Sequence, residues 1–276
     1  MRLYRRQGFS HQRRAALRLS VRTLALAFGV ALVGSPLSAL ADDHSDAPQP
    51  QYGWREVWGG VDATKDVWLL YTGVTLAPLS KDIYSDGLRF RANSGYGQYH
   101  YDYHRQNCVD HPAGVCRTTI NVDVTYTDLL VGYHMRLDEL TAKAFAGASM
   151  VSHDFSTIDP TNDVRGRAFG ASGALEFWLN LGDRGWTSLD LFYTTAHSTG
   201  SARWRAGWRV LPTLSIGPEV RYDRNAEDDA SRVGTFARYE WLGGETSVSA
   251  GFAGSMTGGT TDDMEPYITL NMLSQF

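Results

Sequence analysis

Pro266-Tyr267-Ile268-Thr269-Leu270-Asn271-Met272-Leu273-Ser274-Gln275-Phe276 ends the chain. Ile268, Leu270, Met272 and Phe276 occupy alternate positions, so an extended segment turns them all to one face and finishes on an aromatic. A soluble edge strand rarely stops there. The last strand of a bacterial outer-membrane β-barrel does, because it must pair with the first. In that reading Leu270, Met272 and Phe276 form the outward-facing signal read by the barrel-assembly machinery, with Phe276 as interfacial anchor. A terminal Phe alone is common, so the rest of the chain has to carry the reading.

The other end is strongly basic. Arg2, Arg5, Arg6, Arg13, Arg14, Arg18 and Arg22 stand without an acid among them, followed by an apolar stretch over 23–40 and the small-residue site Ala39-Leu40-Ala41. This predicts a cleaved secretory signal over 1–41 and a polar leader over 42–50. Gly34, Ser35 and Pro36 interrupt the apolar stretch and argue against a membrane anchor. Cleavage leaves about 235 residues for one domain over 51–276, with no apolar run of about 20 residues to form a spanning helix. The formal net charge is −4 and offers no cationic surface, so no nucleic-acid partner is expected.

From Tyr52 onward, segments of about ten residues alternate apolar with polar, as in a porin-type wall. In Leu214 to Asp223, the residues Leu214, Ile216, Pro218, Val220 and Tyr222 take one face, and Ser215, Gly217, Glu219, Arg221 and Asp223 take the other. The preceding segment sets Ala202, Trp204, Ala206, Trp208 and Val210 against Arg203, Arg205, Gly207 and Arg209. A charge on the lipid face costs about 2 to 4 kcal/mol at the midplane, so the arginines must face inward. The predicted strands are 51–62, 66–77, 87–103, 118–135, 140–151, 166–179, 186–196, 202–210, 214–223, 232–241, 246–254 and 264–276. That gives an all-β, antiparallel transmembrane barrel of about twelve strands, with ten as the alternative count. Connectors 136–139, 181–185, 211–213 and 242–245 are short and fall at one end with both termini, the expected periplasmic side. The long turn 78–86 is the exception there. A secreted β-sandwich is the rival fold, but the connector rhythm, the terminal Phe276 and the strand-end residues Trp54, Trp58, Trp68, Trp186, Trp208 and Trp241 favour an outer-membrane barrel of a Gram-negative bacterium.

The inward face carries Arg203, Arg205, Arg209, Glu219, Arg221, Asp223, Arg232, Arg238 and Glu240, with Glu176 and Asp190 on earlier strands. Two readings stand: ion pairs that fill and stiffen the lumen, or a polar surface whose arginines contact sugar hydroxyls. Trp178 and Phe236 share the inward register and could act as stacking platforms. Cys108 and Cys116 are the only cysteines, and in an exported chain a loop disulfide between them is expected. His100, His104, Cys108, His111 and Cys116 have ligand chemistry but not the close pairing of structural zinc, so neither metal nor cofactor is expected. His197-Ser198, with His153 and Asp154 on another rim, supplies the ingredients of a lipid-modifying hydrolase, but neighbours on a strand point to opposite faces, and no catalytic residue is assigned.

Several strings carry a family resemblance: Trp58-Gly-Gly-Val-Asp62 leading into Ala63-Thr64-Lys65, Gly95-Tyr-Gly97, Asp128-Leu-Leu-Val-Gly-Tyr133, and Asp159-Pro-Thr-Asn162 with Arg165-Gly166. Together they resemble the cellulose biosynthesis protein BcsS family over essentially the whole exported region. The resemblance implies a non-enzymatic outer-membrane accessory of cellulose production, assisting export or surface organisation of the glucan. The barrel pattern itself implies outer-membrane lipids and the assembly machinery as partners, and the resemblance adds β-1,4-glucan and other cellulose-synthase subunits. A general small-solute porin is the alternative, and a rim-active lipid-modifying enzyme a further one.

Overall fold

A computed structural model of the chain describes residues 53–106, 115–160, 162–227, 229–254 and 264–276. The expected signal and leader lie outside the described residues, as do Cys108, His111 and the side chains of His104 and Cys116, and with them the expected disulfide. Twelve strands follow in order: β1 (Arg55–Ala63), β2 (Val67–Leu76), β3 (Gly87–Gln106), β4 (Val115–Leu137), β5 (Leu140–Phe155), β6 (Gly166–Leu181), β7 (Gly185–Thr194), β8 (Gly200–Leu211), β9 (Leu214–Arg224), β10 (Asp229–Trp241), β11 (Gly244–Gly254) and β12 (Glu265–Gln275). Each pairs antiparallel with its sequence neighbours, and β12 returns to β1 to close the barrel. The closing seam runs from Glu56 opposite Gln275 to Ala63 opposite Ile268, so no sheet edge is left open.

Period-two alternation sorts the side chains. Leu129, Val131, Val233, Phe252, Ile268, Leu270 and Met272 project outward and are exposed. Glu56, Asp62, Asp128, Ser149, Glu219 and Thr269 project inward and are buried. A barrel with apolar residues outside and charge inside is built for lipid around it. Exposed Trp54, Trp208, Trp241 and Phe276 mark the end carrying the termini, and Trp68, Tyr96 and Tyr193 lie toward the other. Trp58 and Trp186 depart from the expected girdle. Trp186 shares the parity of Asp190 on β7 and is buried, while Trp58 shares the parity of Glu56 and Asp62 on β1 and lies over Gly73.

At the terminal end, connectors 138–139, 182–184, 212–213 and 242–243 are tight. The connector 77–86 is long because it folds back against the barrel mouth. Ala77 and Ile83 are buried, and the Ile83 amide donates to Gly53 O at 2.7 Å. Arg89 Nη2 donates to Ile83 O at 2.8 Å, His134 Nδ1 lies 3.0 Å from the same oxygen, and Gln275 Nε2 donates to the Tyr84 hydroxyl at 2.8 Å. The turn therefore ties β3 and β4 to β1 and β12. Burial lifts the Tyr84 phenol above the ordinary tyrosine range. At the opposite end β3 to β6 are the longest strands, at 20, 23, 16 and 16 residues. There the connector 156–165 turns inward: Tyr101 donates to Asp159 Oδ2 at 2.7 Å, and Val164 is buried.

Candidate functional site: the lumen

The inward register brings Arg203, Arg205, Arg209, Glu219, Arg221, Arg238, Glu240, Trp178 and Phe236 into one lumen. Residues on the same strand or on strands one to three places apart set up the first layer of pairing. Glu219 on β9 accepts from Arg203 Nε on β8 at 2.9 Å, from Ser249 Oγ on β11 at 3.0 Å and from Tyr267 OH on β12 at 3.4 Å. Arg221 Nε donates to Asp223 at 3.0 Å, Arg238 pairs with Glu240 at 2.9 Å and with Glu245, and Arg209 Nη2 donates to Asn180 Oδ1 at 3.3 Å.

A second layer reaches strands up to four places apart around the wall. Asp62 on β1 accepts from Arg221 Nη1 on β9 at 2.8 Å, from Arg232 on β10 and from Thr269 Oγ1 on β12 at 3.0 Å. Arg91 on β3 pairs with Glu176 on β6, which also takes Lys143 Nζ of β5 at 3.4 Å, and Arg91 Nε donates to Thr75 Oγ1 at 3.2 Å. The Arg91 guanidinium also sits 3.9 Å from the Phe145 ring centroid. Asp62 and Glu219 are almost fully buried, and guanidinium groups and hydroxyls surround both carboxylates.

Aromatic rings close the space between these networks. Trp178 on β6 and Trp186 on β7 stack at 4.1 Å between centroids, and Trp186 meets Phe236 of β10 at 5.3 Å. Arg238 lies 4.6 Å from the Trp178 centroid, and Arg205 lies 5.6 Å from that of Phe236. Trp186 Nε1 donates to buried Ser215 Oγ at 3.1 Å. Around this cluster Arg205 Nε, Arg238 Nη1 and Ser188 Oγ have no hydrogen-bond partner among the described residues. Trp178 and Phe236 thus hold their expected register, but their rings are already in contact with protein.

The sequence reading named the late-strand charges and missed Asp62, Arg91, Lys143 and Trp186. Their parity with other inward residues was a usable signal; Lys143 and Trp186 meet Glu176 and Trp178 on the neighbouring strand, but Asp62 and Arg91 find their charged partners on strands three or four places away. The rim groups do not assemble as a hydrolase would require. His153 is buried on the inward face of β5 and meets the His197 ring at 5.2 Å, whereas Asp154 is exposed on the outward face.

A closed twelve-stranded wall with an apolar exterior and an ion-paired interior defines an outer-membrane β-barrel. Known structures that align with it include the TodX deltaS2S3 mutant monoaromatic hydrocarbon channel, at 8% identity over 81% of this chain and 90% of that one with a TM-score of 0.47. The KdgM porin in complex with disordered oligogalacturonate aligns at 10% identity over 80% and 99%, with a TM-score of 0.46. The Acinetobacter baumannii outer membrane protein Omp33 aligns at 13% identity over 83% and 100%, with a TM-score of 0.36. No curated protein matches the sequence. The family model for the cellulose biosynthesis protein BcsS matches residues 57–276, and the chain belongs to that family.

Proposed function

We propose that this barrel is a non-enzymatic accessory of cellulose production that organises the glucan at the outer surface, with the lumen serving as its rigid support. Family membership supplies the process, and the mutual occupation of the lumen side chains supports the surface role. The pairs from Asp62 to Arg221 and from Arg91 to Glu176 join strands four and three places apart around the wall, and a glucan threading between them would have to displace them. In this reading the terminal end, with its short turns, faces the periplasm and any other cellulose-synthase subunits, and the long connectors face outward. Outer-membrane lipids cover the apolar wall, and Leu270, Met272 and Phe276 present the assembly signal.

A second reading is a gated conduit. It is favoured by the unpartnered Arg205 Nε, Arg238 Nη1 and Ser188 Oγ, which could donate to sugar hydroxyls once the cluster opens. Single-channel recording of the purified barrel with and without cello-oligosaccharides separates these readings. The surface role expects no steady conductance. Steady conductance blocked by cello-oligosaccharides would replace it with the conduit, and conductance indifferent to them would make the protein a general small-solute porin.

A further inference from the structure

Beyond the lumen, the wall itself holds a depression of about 520 Å³ at the loop end. It is bounded by the hairpin 64–66, by the outer faces of β2 to β4 and by the end of β5, and its lining includes Trp68, His100, Asn121, Asp123 and Asp154. Trp68 is exposed, and its ring is fixed from two sides. Its Nε1 donates to Gln98 Oε1 at 3.3 Å, and Tyr96 meets it edge-on at 5.5 Å and 72°. Gln98 Nε2 and Tyr96 OH both donate to Asp123 Oδ1, at 2.6 and 3.0 Å. An aromatic surface is thus held rigid beside hydrogen-bonding groups, at the level where the apolar wall gives way to polar residues.

The polar groups are acidic and partly unused. Asp123 and Asp154 stand directly opposite each other across β4 and β5, a like-charge pairing that costs stability in an empty sheet. The Asp154 carboxylate and the side-chain amide of Asn121 have no partner among the described residues, whereas the Asn121 backbone N–H donates to Ser156 Oγ at 3.0 Å. Lys65 does not offset these charges. It donates to Glu265 Oε1 at 3.1 Å; burial opposes its charge, yet Glu265 raises its pKa above the ordinary lysine value. His100 is likewise committed to Asp66 at 3.1 Å. A site of this charge repels phosphate-bearing lipid headgroups and anionic polymers, and it presents acceptors to hydroxyl groups.

The geometry points to a subsite for a neutral, β-linked hexose chain, with one sugar ring flat against Trp68 and its hydroxyls donating to Asp123 and Asp154. The choice of glucan rests on the cellulose reading above; the site itself does not. The test is calorimetric titration of the protein purified from outer membranes in detergent with cellohexaose, maltohexaose and an oligouronate of equal length, at low and high salt. Cellohexaose is expected to bind independently of salt, with Kd rising at least tenfold in Trp68→Ala and at least threefold in Asp154→Ala. Trp208→Ala, on the opposite side of the wall, should leave Kd unchanged. Asp154 is exposed and unpartnered, so its variant keeps the test sound if Trp68→Ala fails to show the heat-modifiable gel mobility of a folded barrel. Binding of maltohexaose alone, lost in the same variants, places a sugar on Trp68 but overturns the β-linked specificity proposed for it and the cellulose reading on which that specificity rests. Cellohexaose binding untouched by both variants overturns the subsite and leaves that reading standing. Binding of the oligouronate alone, or of no sugar, overturns the subsite.

Discussion

Asp62 shows how much one inward side chain can carry. Its carboxylate is shared by Arg221, Arg232 and Thr269, which belong to three other strands. Removing it leaves the largely buried Arg221 and Arg232 side chains with only Asp223 as a neighbouring carboxylate, and breaking a buried pair costs about 3 to 5 kcal/mol. Asp62→Ala should therefore lower the urea midpoint of the barrel in lipid vesicles by that equivalent, while Thr269→Val, which removes one neutral donor, should cost only about 1 kcal/mol. Glycine does the opposite job, making room. A Cβ on Gly207 would lie 2.1 Å from the Trp186 ring, and one on Gly73 would lie 2.3 Å from the Trp58 ring. Each of these indoles lies over the bare backbone of the next strand, which is how the lumen holds such large rings. Gly207→Val should destabilise by about 1 to 3 kcal/mol through overpacking and shift the Trp fluorescence of the folded state. Gly166, with nothing within 4 Å of a Cβ, tests only its left-handed backbone.

The strands were legible because lipid and lumen ask for opposite chemistry at alternate residues, so Leu214 to Asp223 could be split between its faces without coordinates. A consequence of that split is directly measurable. Leu270→Arg puts a charge among lipid tails and should cost about 2 to 4 kcal/mol in a vesicle-based unfolding titration. Connections across the barrel were not legible in the same way. Asp62 and Arg221 are 159 positions apart, and which inward residue faces which depends on the stagger with which the sheet closes. The same limit applied to Trp58 and Trp186, where strand-end position suggested the girdle and parity with nearby acids pointed inward. The long 77–86 turn was visible as an irregularity, but its anchoring on Arg89, His134 and Gln275 needed the closed wall. Deleting 79–84 should leave the far-ultraviolet circular dichroism of the barrel unchanged. It should, however, speed the labelling of a Ser188→Cys thiol by a charged maleimide added from the terminal side, because the mouth is then uncovered.

For the whole molecule, lumen and wall divide the work. The interior is spanned by Arg91 with Glu176, by Arg238 over Trp178 and by Asp62 with its two arginines, so the barrel resists collapse without being an empty tube. On the orientation proposed above, the exposed rim and the outer wall at the loop end face outside the cell, where a surface accessory of cellulose production would meet its polymer. The seam between β1 and β12 has a further effect. Asp62 lies beside that seam, and its partners come from β9, β10 and β12, the late strands in chain order. Until the final strand arrives, this carboxylate and its arginines stand in water and gain little from one another. Completion of the ring and assembly of this buried ion-pair network are therefore one event, and a chain lacking β12 would forfeit both the closed wall and the network beside its seam.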